Sequence, residues 1–364
     1  MKGRKKESTR FVGIDLGKRT YEVAIVEKGA VKKSNGKTYV SGRQALYKKL
    51  LSTDKVALEA GNMAFIIAKE IEAAVGCQVY VLNPSHLALI YGSMKKTDKE
   101  DSLKLAHIIE DFQEERLPVV PIPGEKEMRR RKILGGYRRA QQSRNRDINK
   151  LHALFLAQGI TTMTRKDLST ERQRQESIKM LIGLEREEAE YLVKTLVLHE
   201  GRVDELSHKM KQETAGDEVI ERLQEVHGIG PLVAFAFTAY VAPDRFDNPS
   251  QVSNYLGLVP RVYMSGDTVR YGRITKRGNG YLRALLVMSA WALVRTKKGS
   301  NLKERYEYMT IEKSKSKKKA IVAVARRLAE LLYTLMRDGT RFESRPNNHR
   351  NDVVRELAQL AISA

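Results

Sequence analysis

Residues 11–17, FVGIDLG, constrain this chain most, because an apolar run of that length ending on an acid and a glycine reads as a strand buried in a sheet. The chain supplies partners for it. Alternation over 21–27 predicts a second strand, a third follows over 31–40, and KVALE at 55–59 predicts a fourth that again ends on an acid. Ser41 is placed to cap a short helix over 42–51, helical spacing covers 62–75, and 77–82 is another short apolar strand. Residues 98–112 read as a helix with Leu103, Ala106 and Ile109 inward. Three strands followed by alternating helix and strand predict an α/β domain over residues 1–120.

Pro118, Pro121, Pro123 and Gly124 mark a break, and beyond it the pattern turns helical. Residues 121–215 read as a helical, coiled-coil segment. An Arg-rich helix over 125–158 carries Ile148, Leu151, Leu154 and Phe155 as a stripe. One long helix is expected over 174–213. There Ile178, Ile182, Ala189, Leu192, Leu196, His199, Val203, Leu206 and Met210, with Glu185 as the polar gap, follow steps of three and four, a coiled-coil seam. An antiparallel helix pair and an intermolecular coiled coil both fit it. Residues 216–345 read as a mainly α domain with a helix-hairpin-helix-like element around VHGIGPLVA, and 346–364 as a polar tail.

The net charge is +22, which rules out a compact neutral or acidic metabolic enzyme as the default and points to a large anion, nucleic acid first and an acidic membrane surface second. The excess is uneven: residues 261–320 hold 16 basic and 4 acidic side chains, and 126–150 hold ten and two. Two phosphate-binding surfaces are therefore expected. The first comprises Arg129, Arg130, Arg131, Lys132, Arg138, Arg139, Arg144 and Arg146. The second comprises Arg270, Arg273, Lys276, Arg277 and Arg283, with Gly228 and Gly230 offering backbone N–H groups at the GIG turn. Residues 1–10 read as a basic arm without a following apolar segment, and 232–243 is too short an apolar run to span a bilayer. A cytoplasmic, nucleoid-associated protein with no membrane partner is expected. The lone cysteine, Cys77, and Trp291 and His199 read as packing residues.

Asp15 and Glu59 end strands, while Asp98 and Asp101 share one face near a helix start. Acids gathered in this way repel unless cations neutralise them, and two Mg²⁺ ions about 4 Å apart would do so while orienting phosphate oxygens. The order strand–acid, strand–acid, helix–acid, closing on D-x-x-D, resembles the ribonuclease H-like fold of RuvC-type nucleases. Ser265 precedes Gly266 among Arg261, Arg270, Arg273, Lys276, Arg277 and Arg283. Such a serine suits attack on phosphate, and on chemistry alone a plain turn residue suits the position as well.

GIDLGK, ALEAG and KTDKED in the first domain, with HGIGP, YLGLVP, SG and GRITKRGN-x-YLR in the last, resemble the DEDD transposases of insertion sequences, the recombinases guided by a bridge RNA. The resemblance runs from about residue 11 to 342. It implies that Asp15, Glu59, Asp98 and Asp101 bind Mg²⁺ and that Ser265 attacks DNA to form a covalent phosphoserine link. It further implies a composite site built from different subunits of a homodimer or homotetramer. A structured guide RNA would pair with donor and target DNA. Many relatives carry a second glycine after Ser–Gly, where this chain has Asp267. A DNA invertase of the same architecture, a RuvC-like junction nuclease and a non-catalytic RNA-binding descendant are the alternatives. The four acids with Ser265 argue against the last, and the C-terminal module against the nuclease.

Overall fold

The computed structural model describes residues 9–61, 63–84, 86–87, 98–265, 268–296 and 300–343, with the side chains of Asp98 and Lys99 excepted. The chain forms two compact units, Met1–Gly124 and Glu125–Ala364.

The first unit is a mixed α/β domain around a five-stranded sheet. Strands β1 (Phe11–Leu16), β2 (Thr20–Glu27) and β3 (Ala30–Lys37) form an antiparallel meander. Helix α1 (Val40–Tyr47) leads to β4 (Lys55–Glu59), and α2 (Ala64–Val75) to β5 (Gln78–Leu82). The strand order is β3-β2-β1-β4-β5, with β4 parallel to β1 and β5 parallel to β4. Helix α3 (Asp98–Asp111) follows. Alternation sorts the side chains onto two faces. Val12, Ile14, Val56 and Leu58 pack with Leu46, Ile67 and Ile71 of α1 and α2, whereas Ala57, Tyr80 and Leu82 pack with Leu105, Ile108 and Ile109 of α3. A Cβ on Gly13 would lie 1.9 Å from the Ser102 carbonyl oxygen and 2.6 Å from the Ala106 nitrogen, so α3 rides directly on β1.

Three local expectations are corrected here. Helix α1 begins at Val40 behind Tyr39, with no side-chain cap, so Ser41 lies inside it. On α3 the buried apolar residues are Leu105, Ala106, Ile108 and Ile109, and Leu103 is only half-buried. Arg10 does not belong to a free basic arm: it pairs at 2.6 Å with the buried Asp54, and that hydrogen bond raises its pKa. Residues 1–8 lie outside the described residues. The proline-rich break is itself built in, since the Val120 N–H donates to the Val81 carbonyl and Val120 and Ile122 pack on the core.

The second unit is mostly helical. Its first helix, α4 (Glu125–Ala157), packs antiparallel to α6 (Gly183–Thr214), with the short α5 (Glu171–Ser177) between them. The expected seam is turned inward: Ala189, Leu192, Leu196, Leu206 and Met210 are buried. Leu151 and Phe155 of α4 and Ile178 join Ala189, Leu192 and Leu196 in one core. The single helix expected over 174–213 is broken between Ile178 and Gly183. Leu181 is fully buried there, and the Gln158 side chain brackets Ile182, accepting from its N–H at 3.2 Å and donating to its carbonyl at 2.7 Å. Ile182 is consequently exposed rather than in the seam. Arg174 is fully buried, and its two terminal nitrogens reach Glu200 at 3.1 and 2.5 Å.

The remainder packs on the N-terminal half of α4. Helices α7 (Glu218–Gln224), α8 (Pro231–Tyr240) and α9 (Pro249–Tyr255) precede a hairpin of β6 (Pro260–Ser265) and β7 (Thr268–Ile274). Helices α10 (Gly280–Arg295), α11 (Asn301–Glu307) and α12 (Lys317–Asp338) complete the unit. Phe235, Leu256, Leu286, Leu293, Val324, Leu328 and Tyr333 lie in this core. Among the described residues no helix is long and apolar enough to cross a membrane.

Candidate functional sites

In the first unit, Ile14 of β1 is in register with Leu58 of β4. Asp15 and Glu59 are the next residues along two adjacent parallel strands, whose axes run about 4.8 Å apart. Both acids fall on the α3 side of the sheet, since Gly13 and Ala57, two residues before them, pack against α3. Asp15 is half-buried and Glu59 exposed. Asp101, in the first turn of α3, pairs with Lys104 at 3.0 Å. Asp98 opens the same helix, and its side chain lies outside the described residues. Among the described residues, no three acids, histidines or cysteines lie close enough together to hold a metal ion. The donors available are nevertheless all carboxylate oxygens, the chemistry a hard divalent cation takes.

In the second unit, Ser265 ends β6 and pairs across the tip with Thr268. Gly266 and Asp267 lie outside the described residues. Cross-strand pairing makes the ribbon two-faced. Ser265, Tyr263, Thr268 and Arg270 share one face, and the Tyr263 ring lies over Gly272. Val262, Met264, Val269 and Tyr271 share the other, all exposed. The side chains of Arg261, Arg270, Arg273, Lys276 and Arg277 are exposed and make no ion pair with any described residue.

Several residues expected on phosphate surfaces have other work. Arg130 is buried against Asp217 and donates to the Thr238 hydroxyl at 2.7 Å. Arg131 donates to the Ala239 carbonyl at 2.6 Å beneath the Tyr240 ring, and burial lowers its pKa. Arg144 joins Arg174 on Glu200, and Arg129 pairs with Glu213 while staying exposed. Lys132, Arg138, Arg139 and Arg146 are exposed on α4, and Lys132, Arg139 and Arg146 recur every seventh residue on one face. Gly228 is a packing residue. At φ +86° its Cβ would sit 2.5 Å from the Ser289 carbonyl oxygen of α10, whereas Gly230 caps α8 with open space beside it. Cys77 is buried, which pushes its thiol up to about 11. Trp291 packs against the core beside Tyr306. His199 lies 3.4 Å from Asp147.

Sequence reasoning missed the residues that hold the hairpin. Gly257 has φ +65° and Gly278 φ +68°. A Cβ on Gly257 would lie 2.4 Å from the Arg277 backbone, and one on Gly278 would lie 2.0 Å from the Tyr255 carbonyl oxygen. Arg283 donates from Nη1 to the carbonyls of Leu256 and Arg277, both at 2.8 Å. It therefore clamps the base of the hairpin rather than joining the exposed cations. The available signal was a glycine in each of YLGLVP and TKRGN, flanking the ribbon at both ends.

An α/β unit with strand-end acids and a basic helical unit that raises a serine on a ribbon together describe the class of proteins that process nucleic acid. Residues 12–161 match the model of DEDD-type transposases of IS110 elements, described as "Transposase", and residues 220–307 match "Transposase IS116/IS110/IS902 family". A Pseudomonas aeruginosa protein, "Probable family 20 transposase", is 42% identical over 97 residues, 26% of this chain and 29% of that one. The Coxiella burnetii transposase for insertion sequence element IS1111A is 30% identical over 135 residues, 37% of each chain. The Yersinia enterocolitica transposase for insertion sequence element IS1328 is 27% identical over 299 residues, 77% of this chain and 82% of that one. The chain belongs to the IS110/IS116 family of transposases.

Proposed function

We propose that this chain is an RNA-guided DNA recombinase that moves an insertion sequence, with Ser265 as its nucleophile. The observation that carries this reading is the position of Ser265 near the tip of an exposed ribbon, on one face with Arg270 and close in sequence to four further exposed cations that make no ion pair with any described residue. In the step proposed, the serine Oγ gives up its proton and bonds to phosphorus. The P–O bond to the neighbouring nucleotide breaks, and its oxygen takes up a proton. The phosphodiester energy is conserved in the serine ester, so a second DNA end can reverse the step and be joined.

The strand order β3-β2-β1-β4-β5 supports a ribonuclease H-like fold of RuvC type for the first unit. Asp15, Glu59, Asp98 and Asp101 are the residues that would hold Mg²⁺. Bound there, it would neutralise charge on the phosphate and orient its oxygens. Asp15 and Glu59 supply adjacent carboxylates on a rigid sheet, and Lys104 holds Asp101 in the meantime. Guide RNA binding is supported by the stripe Lys132, Arg139 and Arg146, a sequence-blind backbone contact that leaves recognition to base pairing. The α7–α8 turn supports a helix-hairpin-helix-like element, in which Gly230 and the start of α8 face open space. Self-association is supported by Leu184, Tyr191 and Leu198, which recur every seventh residue on α6 and are 77%, 61% and 71% exposed. A cytoplasmic, nucleoid-associated location goes with that DNA substrate.

Ser265→Ala tests the central step. With labelled DNA and Mg²⁺, a denaturing gel should show a protein–DNA adduct for the wild type and none for the variant, with RNA binding retained. An undiminished adduct in the variant would move the nucleophile elsewhere.

A further inference from the structure

Two stretches of backbone cross beneath the ribbon. One, residues 255–259, leaves α9 and enters β6, and the other, 275–279, leaves β7 and enters α10. They lie back to back. The Thr275 N–H donates to the Val259 carbonyl at 2.9 Å and the Lys276 N–H to the Gly257 carbonyl at 3.1 Å. Gly257 and Gly278 leave no room for a side chain between the two stretches. Leu256 and Leu258 anchor the first stretch in the core, and Asn279 anchors the second by capping α10 through the N–H groups of Tyr281 and Leu282.

Above this crossing the ribbon has little support. Five of the six residues of β6 and six of the seven of β7 are exposed. Ser265 stands five residues above Pro260, about 17 Å at strand rise. A tilt of about 10° at the base would carry the serine about 3 Å, far more than the roughly 1 Å that a reacting group tolerates. The base therefore decides where the serine is.

We propose that Arg283 is a positioning residue that fixes the angle of the hairpin carrying Ser265. Its Nη1 bridges one carbonyl from each crossing stretch, Leu256 on the incoming side and Arg277 on the outgoing side. No carboxylate among the described residues pairs with it, and burial pulls its pKa down from the ordinary value. A half-buried guanidinium whose Nη1 is spent on two backbone carbonyls is a joint between two strands, and its own helix α10 ties that joint to the core. The residue touches neither substrate nor serine; it acts through the ribbon.

The proposal rests on the reading of Ser265 as nucleophile, so its test carries one readout that is independent of chemistry. Arg283→Ala is compared with wild type, Arg283→Lys and Ser265→Ala, all as full chains. Amide hydrogen exchange over 262–271 should rise about tenfold or more in Arg283→Ala while the amides of α12 hold their protection. The DNA adduct should fall about tenfold or more, with affinity for the same DNA within about twofold. Arg283→Lys, whose ammonium can still reach the carbonyls, should recover part of both. Exchange that does not change, an undiminished adduct, or an affinity lost in step with the adduct would each overturn the proposal, the last by making Arg283 a phosphate contact. Should Arg283→Ala lose its helical circular dichroism, Arg283→Gln carries the same comparison. An undiminished adduct in Ser265→Ala would remove the nucleophile reading alone, and the exchange result would still decide whether Arg283 sets the ribbon.

Discussion

Asp15, next to last in β1, and Glu59, last in β4, follow the fully buried Val12, Ile14, Val56 and Leu58, whereas Ser265 ends a strand whose residues are nearly all exposed. Each of these proposed reactive positions needs a fixed address, and the two units fix it by different means. In the first unit the address is set by register: β1 and β4 are locked side by side, and α3 is pressed onto Gly13. In the second it is set at a distance, by glycine contacts and one arginine at the foot of a ribbon. The sheet can hold several like charges for a cation to neutralise. The ribbon can carry one neutral hydroxyl away from its core toward a polymer too large to enter a cleft.

The largest effect expected from breaking this contrast is at Gly13. Gly13→Val places new atoms inside the backbone of α3, so the first unit should lose about 3 kcal/mol or more, measured as its urea midpoint. An equal insult to the ribbon, Val262→Ala, removes an exposed side chain and should leave stability within about 0.5 kcal/mol.

The next effect is at the buried ion cluster of the α4–α6 pair. Arg174→Ala should cost about 3 kcal/mol, since it strips a fully buried cation from Glu200 and leaves only Arg144. The same cluster predicts a pH dependence. Burial alone would raise the Glu200 pKa, but the hydrogen bonds from Arg174 and Arg144 outweigh it and hold the carboxylate below its ordinary 4.5. A depressed carboxylate contributes stability above the unfolded value and loses it as pH falls through the folded one. Thermal melts of wild type should therefore decline below about pH 4.5, and Arg174→Ala should flatten that decline.

The smallest effect on stability belongs to the outer face of α6. Leu196 is buried against α4, so Leu196→Asp would unfold the pair rather than report on assembly. Leu198 is the informative position. Leu198→Asp should lower the mass seen by light scattering while changing stability by about 0.5 kcal/mol or less. An unchanged mass would assign the exposed stripe no role in self-association.

Much of the frame was legible because it rests on local periodicity. KVALE is β4 to the residue, and D-x-x-D opens α3 as its spacing implied. What escaped was set by partners far along the chain. Arg130 meets Asp217 and Thr238, Arg283 meets Leu256, and Gln158 breaks the expected long helix at Ile182. A count of positive charge cannot tell a guanidinium spent on its own backbone from one held out to solvent. Of the cations expected on the α4 surface and around Ser265, those exposed and without an ion pair among the described residues are Lys132, Arg138, Arg139 and Arg146 on α4 and Arg261, Arg270, Arg273, Lys276 and Arg277 around the ribbon. The missing glycine roles have the same origin. Gly13, Gly257 and Gly278 are needed where another segment of chain comes within about a Cβ radius, and nothing local announces that approach.

The central claim is that Ser265 takes the phosphate. Its most direct test is to trap the protein–DNA adduct, digest both components, and find by mass spectrometry which peptide retains nucleotide. Cleavage after Arg261 and Arg270 isolates the peptide VYMSGDTVR, and the account predicts nucleotide mass on that peptide at Ser265. Nucleotide found on any other peptide, with this one recovered unmodified, would contradict it.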